Sequence, residues 1–215
     1  FIIVLNITSC SKFSLFSETE TKYHYEILKE INDTMTNYPE VAMELLNTID
    51  SSTIHNIFSK QEYHEFQILL SEACYKNYYN QPNINEIIDA CDYFDSLTVL
   101  YPNNFEVLFL NSRAHYYRAV GLEELGETEK AFKSYLQSLE LNENINYKSF
   151  RISDKFYKEL LHFKALTYTR LGDILYWHDV SNAAIECISN ANILFEIEDN
   201  QSVLSRNNII MAVIY

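Results

Sequence analysis

The sequence predicts an all-α protein of helices joined by short connections, and three observations carry that prediction. Glycine and proline are scarce, 3 of each in 215 residues, where average usage would supply roughly 15 and 11. Apolar side chains recur at helical spacing through most of the chain. The few glycines, Gly121, Gly126 and Gly172, cannot serve the φ > 0 positions of a many-turned β-sandwich. The same scarcity excludes G-x-G-x-x-G, G-x-x-x-x-G-K-[ST] and G-x-S-x-G, and with them the usual dinucleotide, phosphate-loop and hydrolase-elbow chemistries.

Segmentation by period and breakers gives the elements in order. A helix over 23–37 is followed at once by Pro39-Glu40, where proline suits a first helical turn, and a second helix runs to about residue 49. Residues 60–79 are long and apolar-periodic, Asn80-Gln81-Pro82-Asn83 breaks the pattern, and 84–100 forms the partner helix. Residues 105–125 end at Gly126, and 128–141 follow. Segments 153–177 and 180–195 make the last complete pair. Residues 202–215 read as the first helix of a further pair whose mate is missing.

The pairs share a pattern. Ala119, Gly126, Ala131, Tyr135 and Ser138 follow from a repeat beginning at Ser112, and Leu171, Gly172, Leu175, Ala184 and Ala191 from one beginning at Ala165. A start at Ser71 gives Ala90, Phe94 and Pro102, and the N-terminal pair offers Ala42, Leu46 and Ile49. This spacing of small and aromatic residues resembles the tetratricopeptide repeat (TPR), a unit of about 34 residues. The resemblance covers residues 20 to 200, most closely 112 to 196, and implies an α-solenoid of about four antiparallel helix pairs. Small residues let the helices of a pair approach, and the aromatic fills the gap to the next pair. Ala42, Ala90, Ala131 and Ala184 are 48, 41 and 53 residues apart, so helices are lengthened or loops inserted relative to the standard unit. A generic helical bundle would share the periodicity without the small-residue marks.

In TPR arrays the inner helix of each pair lines a concave groove. The resemblance implies groove positions at Glu72, Tyr75 and Tyr79; at Arg113, Tyr116, Val120 and Glu123; and at Leu166, Thr169, Asp173 and Tyr176, with Trp177 beside them. The candidate peptide-binding set is Tyr75, Tyr79, Arg113, Tyr116, Asp173 and Tyr176, since Tyr, Trp and Arg offer apolar area with a polar handle. Packing between repeats is the competing role for these rings. The Lys and Asn residues with which some TPR domains clamp chaperone C-termini are absent, so the implied ligand is an apolar-aromatic or basic peptide.

The chain begins Phe1-Ile2-Ile3-Val4-Leu5-Asn6-Ile7-Thr8-Ser9-Cys10. An apolar run before Ile7-Thr8-Ser9-Cys10 resembles the end of a bacterial lipoprotein signal peptide, which implies acylation of Cys10 and a basic start upstream. Residues 1–10 then read as the end of that signal, 11–21 as a polar tether, 22–200 as the repeats and 201–215 as a truncated one. A lipoprotein signal followed by TPR-like pairs resembles a class of Bacteroidetes proteins. The implied protein is membrane-anchored and faces the periplasm or cell exterior. In some members the repeats lead into a transmembrane helix and a cytoplasmic DNA-binding domain, so a periplasmic sensing domain of a longer regulator is the alternative. The solenoid of a glycan-binding surface lipoprotein fits less well, with a single tryptophan, Trp177.

Chemistry is sparse. The net charge of −14 opposes binding of nucleic acid or anionic lipid by this segment. Cys74, Cys91 and Cys187, the cysteines other than Cys10, fall in apolar-periodic segments and read as core thiols. No histidine stands in H-E-x-x-H or H-x₃₋₅-H spacing, and no calcium loop occurs. The expectation is a non-catalytic scaffold or sensor without metal or cofactor, taking a protein or peptide ligand in its groove.

Overall fold

The computed structural model describes residues 18–50, 52, 54, 57–145, 153–197, 204 and 207. The expectations for Cys10 and most of the segments 11–21 and 201–215 lie outside these. The described residues form eight helices and no strand, an all-α fold. They are α1 (Glu18–Met35), α2 (Pro39–Thr48), α3 (Lys60–Lys76), α4 (Ile84–Leu100), α5 (Phe105–Glu124), α6 (Thr128–Asn144), α7 (Asp154–Trp177) and α8 (Ser181–Ile197). Helix α1 begins inside the segment read as a tether, because Glu18 and the residues after it continue its helical run.

The helix starts follow local chemistry. Ser59 and Glu62 form a capping box on α3, and Asn83, Asn104 and Ser153 accept from the first free N–H groups of α4, α5 and α7. Each such cap is worth about 1 kcal/mol. Pro39 opens α2.

Three helix ends are alike. Tyr78, Gly126 and Asp179 adopt positive φ of 58°, 74° and 59°. In each case that residue's N–H returns three residues to Tyr75, Glu123 or Tyr176. The next N–H returns five residues, from Tyr79 to Cys74, Glu127 to Leu122 and Val180 to Leu175. This left-handed cap satisfies carbonyls that the helix end would leave open. Gly126 suits it without strain, while Tyr78 and Asp179 hold a conformation that costs an L-residue about 1–2 kcal/mol.

Consecutive helices pack on one another, most extensively α5 on α6 and α7 on α8. Ala42, Ala90, Ala119, Ala131, Ala165, Ala184 and Ala191 are fully buried, and so are Phe94 and Tyr135. The small side chains bring backbones together, and the rings fill the space beside them. One core joins α3 to α7 around Tyr116, Tyr117, Tyr135 and Phe163, and a second joins α1, α2 and α3 around Leu28, Ile31, Leu46 and Leu69. Leu204 packs on Ala165, Ala191 and Phe195, and Asn207 Nδ2 donates to Thr169 Oγ1 at 3.4 Å, so chain beyond α8 lies against α7 and α8.

Candidate functional site

Helices α1, α3, α5 and α7 share an inner face whose centre is polar. Arg113 on α5 is 3% exposed and donates to Glu72 of α3 at 2.5 Å and to Asn32 of α1 at 2.8 Å. Glu159 of α7 lies 3.9 Å from the same guanidinium, and Lys76 pairs with Glu72 at 2.8 Å. Asp33 of α1 pairs with Lys155 of α7. The guanidinium also lies over the rings of Phe109 and Phe163, at 5.7 and 5.3 Å from their centroids. Burial pushes the Glu72 carboxyl up, but Arg113 and then Lys76 outweigh it and hold it at about 2. Glu65 and Glu159 have weaker compensation, and burial raises both despite Arg113. The pair at the centre is therefore a dry ion pair whose removal on one side leaves an uncompensated charge.

Next to it stands a layer of tyrosines. Tyr116 sits edge-on to Tyr75, Tyr117, Tyr135 and Phe163 at centroid distances of 6.2, 5.1, 5.4 and 5.8 Å. Arg170 of α7 donates to the Tyr75 hydroxyl at 3.1 Å, and the Tyr135 hydroxyl donates to Glu123 at 2.6 Å. Burial, then the adjoining Tyr75, lifts the Tyr116 phenol well above its ordinary range.

The six residues expected to line a groove separate accordingly. Tyr116 and Arg113 are buried, at 0% and 3% exposure, and present nothing to solvent. Tyr75 is half-buried and engaged by Arg170. Tyr79 lies past the end of α3, in the turn, and is 59% exposed. Asp173 and Tyr176 are half-buried in the last two turns of α7, and Trp177, beside them, is 81% exposed.

Tyr79 is displaced for a definite reason. Aligning the left-handed ends at Tyr78, Gly126 and Asp179 makes Ser71, Ala119 and Gly172 equivalent, each seven residues earlier and each buried. A repeat starting at Ser71 is therefore seven residues too late on α3. A seven-residue slip preserves the helix face, so Glu72 and Tyr75 still lie on the inner side while Tyr79 falls off the end. The slip comes from taking Ala90 as the counterpart of Ala131 and Ala184: it lies 12 residues after its left-handed cap where they lie 5 after theirs, and four of those seven extra residues are the later start of α4. Glu159 and Lys155 were invisible to the repeat pattern because they lie outside any 34-residue unit, and Asn32 because it falls between the groove positions of the N-terminal one. Arg170, an arginine on the first helix of an expected repeat, could have been found.

His115 Nε2 lies 3.1 Å from Asp95 Oδ1, an arrangement that could orient a general base. Burial opposes the Asp95 charge, but hydrogen bonds from His115 and Asn111 hold its carboxyl below the usual range. The other ring nitrogen, Nδ1, is buried without a hydrogen-bond partner, so no nucleophile completes the series. Cys91 is fully buried, and burial raises its thiol far above the reactive range. Among the described residues no group of three His, Cys, Asp or Glu side chains is placed to hold a metal ion, and no helix is long and apolar enough to cross a membrane. A surface depression lined by 101–106 comes from one turn and gathers no converging charges.

The exposed large apolar side chains have a pattern of their own. Of those exposed by 45% or more, Tyr38, Tyr78, Tyr79, Leu125, Trp177 and Val180 lie in or beside the turns within helix pairs, while Val99, Leu100 and Tyr101 lie at the end of α4 and Ile193 and Ile197 on α8. Those turns adjoin. Asn77 Nδ2 donates to the Pro39 carbonyl at 2.9 Å, and the Gln81 N–H donates to Glu124 at 3.0 Å. They form one edge of the molecule. No protein-family model matches the chain, and no curated protein matches it.

Proposed function

We propose that this chain is a non-catalytic, TPR-like scaffold or sensor that binds a protein or peptide ligand. The observation that carries the reading is the row of exposed aromatic and aliphatic side chains along the turn edge. Tyr78 is 97% exposed and holds a positive φ where glycine would be unstrained. Its ring adds nothing to the fold, and its backbone works slightly against it, which favours a role in contact with a partner. The inner face, packed with an ion pair and tyrosines, serves on this reading to hold the inner helices at fixed spacing. The test is selection from a random peptide-display library on the intact chain, with an unrelated acidic helical protein as counter-selection. Enrichment of a convergent sequence family is the expected result. No family after repeated rounds would overturn the reading.

Ile7-Thr8-Ser9-Cys10 supports a second element of the proposal, attachment to a bacterial envelope through lipid on Cys10. Labelled palmitate should be incorporated by the full-length protein in a bacterial host and lost in Cys10→Ala. Labelling that persists in the variant, or is absent from both, would overturn it.

A further inference from the structure

Helix α1 reaches α5 and α7 through polar side chains. Its apolar contacts lie elsewhere: Leu28, Ile31 and Met35 pack with Ala42 and Leu46 of α2 and with Phe66, Leu69 and Ala73 of α3. No apolar cluster of the described residues joins α1 to α5 or α7. Helix α3 therefore borders two separate cores, one toward α1 and α2 and one, through Ile68 and Tyr75, toward α4 to α7. Two contacts cross from α1 to α5 and α7. Asn32 accepts from Arg113 at 2.8 Å, and Asp33 pairs with Lys155. The second pair ties the first inner helix to the last, 122 residues apart in sequence.

Two features set the Asp33–Lys155 pair apart from contacts that merely hold the fold. Asp33 stands in the last turn of α1 and Lys155 in the first turn of α7, so each charge opposes the dipole of its own helix. Both side chains are well exposed, at 46% and 64%, where an ion pair contributes little and is released by salt. Asn32, next to Asp33, helps close over a guanidinium that is 3% exposed. We propose that the Asp33–Lys155 pair is a releasable clasp and that α1 with α2 is a cover over the inner face. When the clasp parts, the cover swings about α3 and uncovers Arg113 with the rings of Phe109 and Phe163 beside it. No apolar cluster has to divide for that motion, because α1, α2 and α3 share theirs. The clasp regulates access to the inner face and is independent of the turn edge proposed above as the docking site.

Charge reversal in the intact chain tests this without any ligand. Asp33→Lys and Lys155→Asp each set like charges face to face, yet each also suits the dipole of its own helix better, so helicity and Tm should hold or rise. The readout is the rate at which phenylglyoxal modifies Arg113, followed by peptide mass, with Arg118, beside Cys91 of α4, as the internal reference. Each single variant should speed Arg113 modification about fivefold. The double variant, which restores the pair in reverse, should return it to the wild-type rate or below. Added salt should speed the reaction in the wild type and slow it in the single variants. A water-soluble carbodiimide should join Asp33 to Lys155 as an amide in the wild type at low salt, with Glu129–Lys133 and Glu127–Lys130 as reference links, and the linked protein should be modified slowest. Equal Arg113 rates in the wild type and every variant would overturn the proposal, leaving a surface pair with no motion behind it. So would single variants that change the rate in opposite directions, the pattern that local charge at the guanidinium gives and a clasp does not. Faster modification with lost helicity would overturn it too, by making α1 part of the fold instead of a cover. Each of these failures leaves the scaffold reading standing, which falls only if peptide display selects no family.

Discussion

Replacing Glu72 by Gln tests whether the inner face is a structural ion pair, and the expected cost follows from its setting. Glu72 and Arg113 are each 3% exposed, so neither charge is rehydrated without parting α3 from α5. The Glu72 carboxyl is held at about 2 against an ordinary 4.5. A difference of that size corresponds to about 3 kcal/mol of preference for the charged form in the folded state. A carboxyl with a lowered folded-state pKa contributes fully above its unfolded value and loses that contribution as pH falls through the folded one. Stability of the wild type should therefore decline between about pH 4.5 and 2. Glu65 and Glu159 act with the opposite sign, because burial raises them. They take up protons first in the folded state and add stability as pH falls toward the ordinary carboxyl range, and the slope below that range is left to Glu72. Glu72→Gln should lose about 3 kcal/mol at neutral pH and show a much shallower acid decline. Arg113→Met should lose about 3–5 kcal/mol by leaving Glu72 buried and unpaired, and the double variant should lose less than the two losses combined. Urea unfolding followed by far-UV circular dichroism at several pH values measures all three. Equal neutral-pH stability of wild type and Glu72→Gln, or the same acid slope in both, would refute the reasoning.

The remaining predictions concern close approach and burial. A Cβ on Gly172 would lie 2.7 and 2.8 Å from Ile188 Cδ1 and Cγ1 and 3.3 Å from the Ala184 carbonyl. Gly172→Ala should thus overpack by about 1–3 kcal/mol, exceeding the roughly 1 kcal/mol that alanine gains in a helix, and lower the Tm. Gly121→Ala meets chiefly the tip of the half-buried Ile84, with its Cδ1 at 2.6 Å and Cγ1 at 3.8 Å. The tip can rotate away, so the Tm should stay near or above that of wild type, and identical shifts for the two variants would show that neighbour mobility does not decide the sign. Tyr78→Gly relieves a positive φ at a ring that touches almost nothing, and thermal melts should find stability unchanged or raised by up to about 1 kcal/mol; a clear loss would show that the ring packs. Tyr116→Ala empties the centre of the tyrosine layer and should cost about 3–5 kcal/mol in chemical denaturation, whereas a neutral result would return Tyr116 to the list of surface residues.

The legible part of this fold was local. Alanine at 42, 90, 131 and 184 and glycine at 172 mark helix contacts because small size at helical spacing has few other uses, and all are buried. Gly126 was legible as a helix end because only glycine enters the left-handed region freely, but Tyr78 and Asp179 make the same turn and carry no such sign. That hidden equivalence is why the repeat on α3 was set seven residues late. The burial of Arg113 and Tyr116 was not legible either. A polar residue on an inner helix reads as groove-lining unless its countercharge is known, and here that countercharge comes from Glu72, 41 residues away, with Asn32 81 residues away. Sequence pattern reports which face of a helix a residue occupies; it does not report how tightly the inner helices close on one another.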